Sequence, residues 1–394
     1  MSKLQLIFAI SQLKGGGAEH VMINLANYMF AKGHEVQMIV TNQKSKKSDY
    51  VGLNSNVNVV FLEDNITKIS SKKITIRIIN FFCKFFEILG QKVPHILVRK
   101  AFRNIYGEHV KEAREVLKTK EGSTVIVFLQ PANQIMLMAC EDLDIRLVIS
   151  ERGDPIRYFK TRYADFFLKK YYPTVHGAVF QTPEAMKQYI TIRTLNKSII
   201  PNPISAELPE PYVGDREKVV VNFCRLARQK NLPLLIDAFE MFCESHDGYI
   251  LEIIGDGELR DELCEYIRTK KYADRIRLIS HTDKVHSRIR NYAMFVSSSD
   301  YEGMSNSMLE SMAIGLPVIC TDCPIGGARF IIQDHINGIL VPLNNVVRLA
   351  NAMGELADDK ELSHKLSINA IKVREEQSID KIGLMWEEII KNAQ

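Results

Sequence analysis

The chain has 394 residues, 46% of them hydrophobic and 25% charged, which is enough apolar material for packed cores and excludes global disorder. No run of roughly 18 uninterrupted apolar residues exists, so a membrane-spanning helix is not expected; seven cysteines without a secretory leader point to a reduced, cytoplasmic setting. The net charge of +4 is uneven: residues 66–120 carry thirteen Lys and Arg against four Glu, a local +9 that leaves −5 for the remainder, so an anionic partner suits that segment.

Short apolar runs alternate with helical patterns from the start, the mark of βαβ units and parallel sheets. The length fits two or three domains. The first strand, "LQLIFAI", runs into "GGGAEH", where Gly15, Gly16 and Gly17 open a helix. Glycines let a backbone approach a ligand, and a helix N-terminus favours anions. The spacing is neither GxGxxG nor a P-loop, and a tight strand-to-helix turn explains it equally well. The strands "EVQMIV" and "VNVVFL" follow. Between 72 and 89, Lys73, Arg77, Asn80, Lys84 and Glu87 form one helical stripe on an otherwise apolar segment containing Phe81, Phe82, Phe85 and Phe86. That pattern fits a buried core helix or a helix lying in a membrane interface, with the flanking Lys and Arg favouring the second. Pro94 breaks it, and a second basic helix begins near Ile96. The strands "STVIVFL", "RLVIS" and "GAVFQT" complete the first half. The "DLD" at 142–144 imitates a metal-binding motif, but its place just before "RLVIS" reads as chance.

Residues 201–217, "PNPISAELPEPYVGDRE", contain Pro201, Pro203, Pro209 and Pro211 and read as a linker. Beyond it come the strands "KVVVNFC", "YILEIIG", "IRLIS", "AMFVSSS" and "PVICTD". Two doubly wound domains result, 1–205 and 206–375, facing each other across a cleft, with an amphipathic helix at 376–394 that packs back on the first domain. Residues 66–120 form a basic helical insertion in that first domain. Ligands of such sheets bind beyond the carboxyl ends of the strands. Two stretches lie there. "CRLARQKN" places Arg225 and Lys230 five apart at a helix start, a fork of donors and a point charge suited to a diphosphate. "YEGMSNSMLE" sets Glu302 and Glu310 eight apart around a tight turn at Gly303, with Ser305 or Asn306 as helix cap. The carboxylate of Glu310 suits a vicinal diol such as a ribose. In both stretches, solvated surface charges are the plainer alternative. Cys320 and Cys323 have CxxC spacing without the second ligand pair that a structural zinc needs, so two small apolar residues in a loop are expected.

Together, "GGGAEH", "IIPNPI", "CRLARQKN", "IIGDGELRDEL", "SSSDYEGMSNSMLESMAIGLPVICTDCPIGG" and "HINGILV" resemble the retaining, nucleotide-sugar-dependent glycosyltransferases of family 4. The resemblance runs from the glycine loop to about residue 345 and implies the α/β GT-B fold, two Rossmann-like domains. It implies that Arg225 and Lys230 hold the donor diphosphate, that Glu310 holds the ribose, and that Glu302 serves the donor sugar and turnover. Met304, Ser305 and Asn306 would lie around that sugar, with the base held by backbone near His281 and Thr282. Gly15, Gly16 and Gly17 would form the phosphate and acceptor loop. Glu151, Arg152 and Asp154 of "SERGDP" would line the acceptor side, unless they form a structural cluster. The family needs no metal and no protein nucleophile. Two positions depart from its pattern: Cys224 stands where glycine is usual, narrowing the room beside the phosphates, and Arg152 stands where many members have histidine. The implied activity is transfer of a hexose or N-acetylhexosamine from a UDP-sugar to a polyprenyl-diphosphate-linked saccharide by a cytoplasmic protein peripheral on the inner face of the cell membrane. An anionic membrane surface is an expected partner and nucleic acid is not. A soluble transferase with a non-lipid acceptor and a catalytically silent nucleotide-binding partner are the alternatives. Galactose, glucose and their N-acetyl forms all remain open as donor sugars.

Overall fold

The computed structural model describes residues 3–42, 52–62, 81, 85–86, 93–161, 163–189, 192–194, 196–204 and 207–393. Most of the amphipathic stretch at 72–89 lies outside them; Phe81 and Phe85, which are described, are exposed. The chain divides into two compact units, 1–200 with 382–394, and 201–381. The division falls at Ile200/Pro201, five residues before the 205/206 boundary read from the linker composition.

The first unit is a seven-stranded parallel sheet in the order β3-β2-β1-β4-β5-β6-β7. Its strands are β1 (Gln5–Ile10), β2 (Glu35–Val40), β3 (Asn58–Phe61), β4 (Thr124–Phe128), β5 (Arg146–Glu151), β6 (Gly177–Phe180) and β7 (Lys197–Ile199). The central strands are buried along nearly their whole length, which is why they read as continuous apolar runs rather than alternating ones. Helix α1 (Gly17–Ala31) follows β1, and α2 (His95–Lys118) precedes β4.

The second unit is a six-stranded parallel sheet in the order β10-β9-β8-β11-β12-β13. The strands are β8 (Glu217–Phe223), β9 (Ile250–Ile254), β10 (Ile276–Ile279), β11 (Tyr292–Ser297), β12 (Val318–Thr321) and β13 (Ile339–Val341). Helices α3 (Leu232–Cys243) and α4 (Asn306–Ala313) follow β8 and β11. Side chains alternate across the sheet: Val220, Met294 and Val296 enter one core with Leu235, Phe239 and Met353. Val221 and Phe295 enter the other, with Met308 and Met312 of α4. In both units the strand order reverses beside the first strand, between β1 and β4 and between β8 and β11. The loops after those strands therefore occupy the position where parallel sheets bind ligands.

The helix Ile379–Asn392 closes the chain. From Ile382 onward it belongs to the first unit. Trp386 is fully buried 5.5 Å from the Phe128 ring of β4. The Tyr28 hydroxyl donates to Glu387 Oε1 at 3.1 Å, and Asn196 Nδ2 donates to the Ile389 carbonyl at 3.0 Å. A Cβ at Gly383 would overlap the Tyr28 ring, so the close approach of this helix to α1 depends on that glycine. Among the described residues no helix is long and apolar enough to cross a membrane.

Candidate functional site

Two loops at the switch point of the second sheet are laced together. After β8 the chain makes a 3-10 turn, Arg228–Lys230, and then passes through Asn231 in the left-handed region at φ 42°. After β11 it runs through Ser298, Ser299, Asp300, Tyr301 and Glu302. Asp300 N donates to Gln229 O at 3.0 Å, Gln229 Nε2 to Tyr301 O at 2.9 Å, and Ser298 Oγ to Lys230 O at 2.9 Å. Asn231 Nδ2 adds a bond to Asp300 Oδ1 at 2.6 Å. This lacing holds Lys230 Nζ 2.5 Å from Glu302 Oε2, both side chains being largely buried. Burial alone would lower the pKa of the Lys230 ammonium; the Glu302 carboxylate outweighs it and the net shift is upward. The Lys230 ammonium therefore remains charged at neutral pH. Arg225, on the same loop, is exposed.

The loop's position depends on glycine in β9's trailing segment. At Gly255, φ is +152°, and a Cβ there would overlap the Cys224 carbonyl oxygen; at Gly257 it would lie 2.7 Å from the Leu226 carbonyl carbon. Cys224 itself packs against the core of the second unit. Its thiol, pushed up to about 12 by burial, stays neutral. The crowding beside the phosphates expected at this position is thus met by a side chain engaged with the core. Beneath the β11 loop, Thr321 Oγ1 and Cys323 Sγ both donate to Ser299 O, at 2.6 and 3.2 Å. The CxxC pair is buried, and its second thiol braces the loop that carries Glu302.

Between the two glutamates the chain is fixed from three sides. Ser305 caps α4, its Oγ accepting from Met308 N at 3.3 Å. Asn202 Nδ2 donates to Met304 O at 3.2 Å and to Asn306 Oδ1 at 2.6 Å. Gly327 lies so close that a Cβ would overlap Gly303 O. The Met304 side chain is buried in the core, so its backbone rather than its thioether is available to a ligand. Glu310 falls in the second turn of α4, and His286 Nε2 lies 3.0 Å from its Oε2. His281 and Thr282 occupy the exposed loop after β10, where His281 N donates to Asp256 Oδ2 at 3.1 Å. The second unit thus gathers Arg225, Lys230, Glu302 and Ser305 on the loops following β8 and β11, with Asn306 and Glu310 in the first two turns of α4. Sequence reasoning missed Asn202, Gly327 and His286. The first two lie inside quoted motifs, "IIPNPI" and "CPIGG"; nothing in the local pattern marks the third.

In the first unit the expected residues are engaged within the chain. Gly16 is the residue before α1, and Gly15 has φ +84°. The amides of Lys14 and Gly16, however, already donate to the buried Glu19 carboxylate, the second at 2.9 Å. Part of the anion-binding capacity of Gly15–Gly17 is therefore satisfied from within the chain. Glu151 ends β5 among donors: Tyr172 Oη at 2.5 Å, Asn133 Nδ2 at 2.8 Å and Gln130 Nε2 at 3.2 Å. Burial pushes its pKa up. Arg152 is also buried, its guanidinium 4.6 Å from the Phe128 ring centroid and NH1 donating to Ser150 Oγ at 3.2 Å; burial lowers its pKa to about 9. Asp154 caps the helix Pro155–Phe159 by accepting from Ile156 N at 2.8 Å. These three stand at the carboxyl end of the sheet, with two of them buried and the third acting as a cap. The "DLD" stretch lies in the turn at the opposite, amino end of β5.

Several of the cations in residues 66–120 serve within the fold. Arg99 pairs with Glu141 at 3.1 Å, Arg114 NH1 donates to Ala139 O at 3.0 Å, and Lys120 pairs with Glu35 at 3.0 Å. Lys100, Arg103 and Lys111 of α2 are exposed.

Residues 207–373 match the model of the family described as "Glycosyl transferases group 1". A Campylobacter jejuni protein named as a GalNAc-α-(1->4)-GalNAc-α-(1->3)-diNAcBac-PP-undecaprenol α-1,4-N-acetyl-D-galactosaminyltransferase is 24% identical over 395 residues, 99% of this chain and all of that one. The poly(glycerol-phosphate) α-glucosyltransferase of Bacillus subtilis is 27% identical over 224 residues, 56% of this chain and 33% of that protein, so the match spans a third of that relative's length. Among solved structures, a mutant of S. aureus TarM in complex with fondaparinux, α-GlcNAc-glycerol and UDP superposes with a TM-score of 0.75 at 14% identity, covering 99% of this chain and all of that one.

Proposed function

We propose that this chain, a glycosyltransferase of the GT-B fold whose residues 207–373 match the group 1 family model, moves a hexose or N-acetylhexosamine from a UDP-sugar, with retention, to a lipid-diphosphate-linked saccharide. The observation that carries the donor reading is the Lys230–Glu302 pair, held beside Arg225 at the switch point of the second sheet. Arg225 and Lys230 offset the diphosphate charge. As the donor enters, Lys230 exchanges its carboxylate partner for a phosphate oxygen, and Glu302 is released toward the sugar hydroxyls. Glu310 takes the ribose diol. The C1–O bond to the diphosphate then breaks while the acceptor oxygen bonds C1 on the same face, and the acceptor's proton passes to the departing phosphate oxygen. Cations placed where that negative charge develops lower the barrier without a protein nucleophile. A metal is not needed to neutralise the diphosphate if these two side chains do so.

The acceptor class is supported by the Campylobacter relative, which is matched end to end and named for an undecaprenol-diphosphate saccharide. It is supported too by the basic excess of residues 66–120 and by the exposed Phe81, Phe85 and Ile96, features suited to an anionic, lipid-bearing surface on the inner face of the membrane. The acceptor falls to the first unit.

The test is a panel of UDP-hexoses and UDP-N-acetylhexosamines screened by thermal shift, then assayed for transfer to a synthetic lipid-diphosphate oligosaccharide with and without EDTA. One donor is expected to stabilise the protein and to give an α-linked product at a rate unchanged by the chelator. Loss of the product in EDTA would overturn the metal-free mechanism, and no product from any donor would overturn the reading.

A further inference from the structure

Glu310 does not stand alone on α4. His286, on the short helix Val285–Ile289 that follows β10, places Nε2 3.0 Å from Glu310 Oε2. An ionised carboxylate can only accept, so in this pair Nε2 carries the proton and donates. Both side chains are about a quarter exposed, His286 at 23% and Glu310 at 24%, so the pair is packed yet open to a ligand.

The imidazole is fixed by what surrounds it. Its ring meets the Phe223 ring edge-to-face at 5.6 Å, and Phe223 in turn meets Phe295 at 5.4 Å. The helix that bears it is anchored twice. Val285 and Ile289 are buried in the core that also receives Met308 and Leu309 of α4. Two residues beyond His286, Arg288 forms a fork on the Glu252 carboxylate of β9, Nε to Oε2 at 3.0 Å and NH2 to Oε1 at 2.8 Å. The Glu252 side chain is 2% exposed and also accepts from Tyr292 Oη at 2.9 Å. A buried acid in the middle of a strand is costly unless paired in this way. Here its pairing fixes the register of a five-residue helix too short to hold itself.

We infer that His286 is the positioning residue for Glu310: its Nε2–H holds one carboxylate oxygen so that the remaining acceptor sites are presented in a single orientation to a vicinal diol. Nothing about His286 touches a reacting atom, so its contribution belongs to donor binding and not to the chemical step. The inference rests on the reading of Glu310 as the ribose ligand. It adds a dependence that this reading alone does not contain: discrimination of the ribose hydroxyls requires a donor 24 residues away in the sequence.

The experiment measures the affinity of wild type, H286F, H286Q, E310A and the double variant H286F/E310A for UDP and for 2′,3′-dideoxy-UDP by calorimetry, with KM and kcat for the nucleotide-sugar alongside. H286F keeps an aromatic ring against Phe223 without the N–H, and H286Q restores an N–H donor. Wild type is expected to favour UDP over the dideoxy form, and E310A to abolish that preference. H286F is expected to lose about tenfold in UDP affinity, the loss of one hydrogen bond to a charged group, with a matching rise in KM, kcat within twofold, and most of the preference gone. H286Q is expected to recover most of it, and H286F/E310A to be no worse than E310A alone. Full preference in H286F beside a flat E310A overturns the positioning role and leaves the ribose reading standing. Full preference in E310A overturns the ribose reading, and the inference falls with it.

Discussion

Lys230→Ala is expected to lower kcat/KM for sugar transfer by about 10²–10³, the effect of removing one preorganised group that stabilises developing charge. The protein should remain folded, because the lacing of the two loops runs through Gln229, Ser298, Asp300 and Asn231 and through the Lys230 backbone, not through the ammonium. Two losses combine in this variant. The diphosphate loses a cation, and Glu302 loses the partner that lies 2.5 Å away, keeping among the described residues the longer 3.4 Å contact from Ser299 Oγ. An unpaired, largely buried carboxylate would repel the diphosphate, so UDP affinity should fall together with turnover. Lys230→Ala/Glu302→Gln separates the two losses: it should bind UDP more tightly than Lys230→Ala while remaining as slow. Steady-state kinetics with matched circular dichroism decide the matter, and a wild-type rate in Lys230→Ala would remove this residue from the site.

Gly327→Ala is expected to destabilise the second unit by more than about 3 kcal/mol and to abolish UDP binding, acting through the Gly303–Met304 backbone. The added Cβ would overlap Gly303 O and lie 2.7 Å from its carbonyl carbon and 3.2 Å from Met304 Cα, all backbone atoms that no rotamer change can move. Relief requires the Gly303–Met304 segment to shift, and that segment joins Glu302 to the cap of α4. Asn202 resists the shift through its bonds to Met304 O and Asn306 Oδ1. Gly153→Ala is the control, since a Cβ there meets nothing within 4 Å. Chemical denaturation and calorimetry test both variants; a Gly327→Ala protein with unaltered UDP affinity would show that the loop tolerates displacement.

The sheets were legible because parallel strands buried on both faces are written as unbroken apolar runs, such as "STVIVFL" and "AMFVSSS". The two edge strands β7 and β13 were not, since three residues each are too few to establish a period. The loops of the second unit stood out through glycine, proline and charge at the ends of those runs. Their supports did not. Asn202 lies 104 residues from Asn306, and His286 lies 24 from Glu310, separations at which side chains meet only because the sheet brings them together. Glu151 and Arg152 show the converse ambiguity, for which a structural cluster was the alternative to an acceptor side. Polar residues at a strand's carboxyl end suit a ligand site, but here one accepts from Tyr172, Asn133 and Gln130 and the other lies over Phe128. Charge in a sequence does not reveal whether its partner is a ligand or a buried amide.

The occupation of the glycine loop by Glu19 sets the two sheets apart. Both sheets reverse their strand order in the same way, so the chain contains two places of nucleotide-binding architecture. At one of them a carboxylate tethered to the same helix already receives the Lys14 and Gly16 amides. At the other, the resident carboxylate of Glu302 is itself held by a cation that a diphosphate can claim. A duplicated architecture is thereby made asymmetric: one loop is closed on its own chain, and the other holds a cation that can change partners.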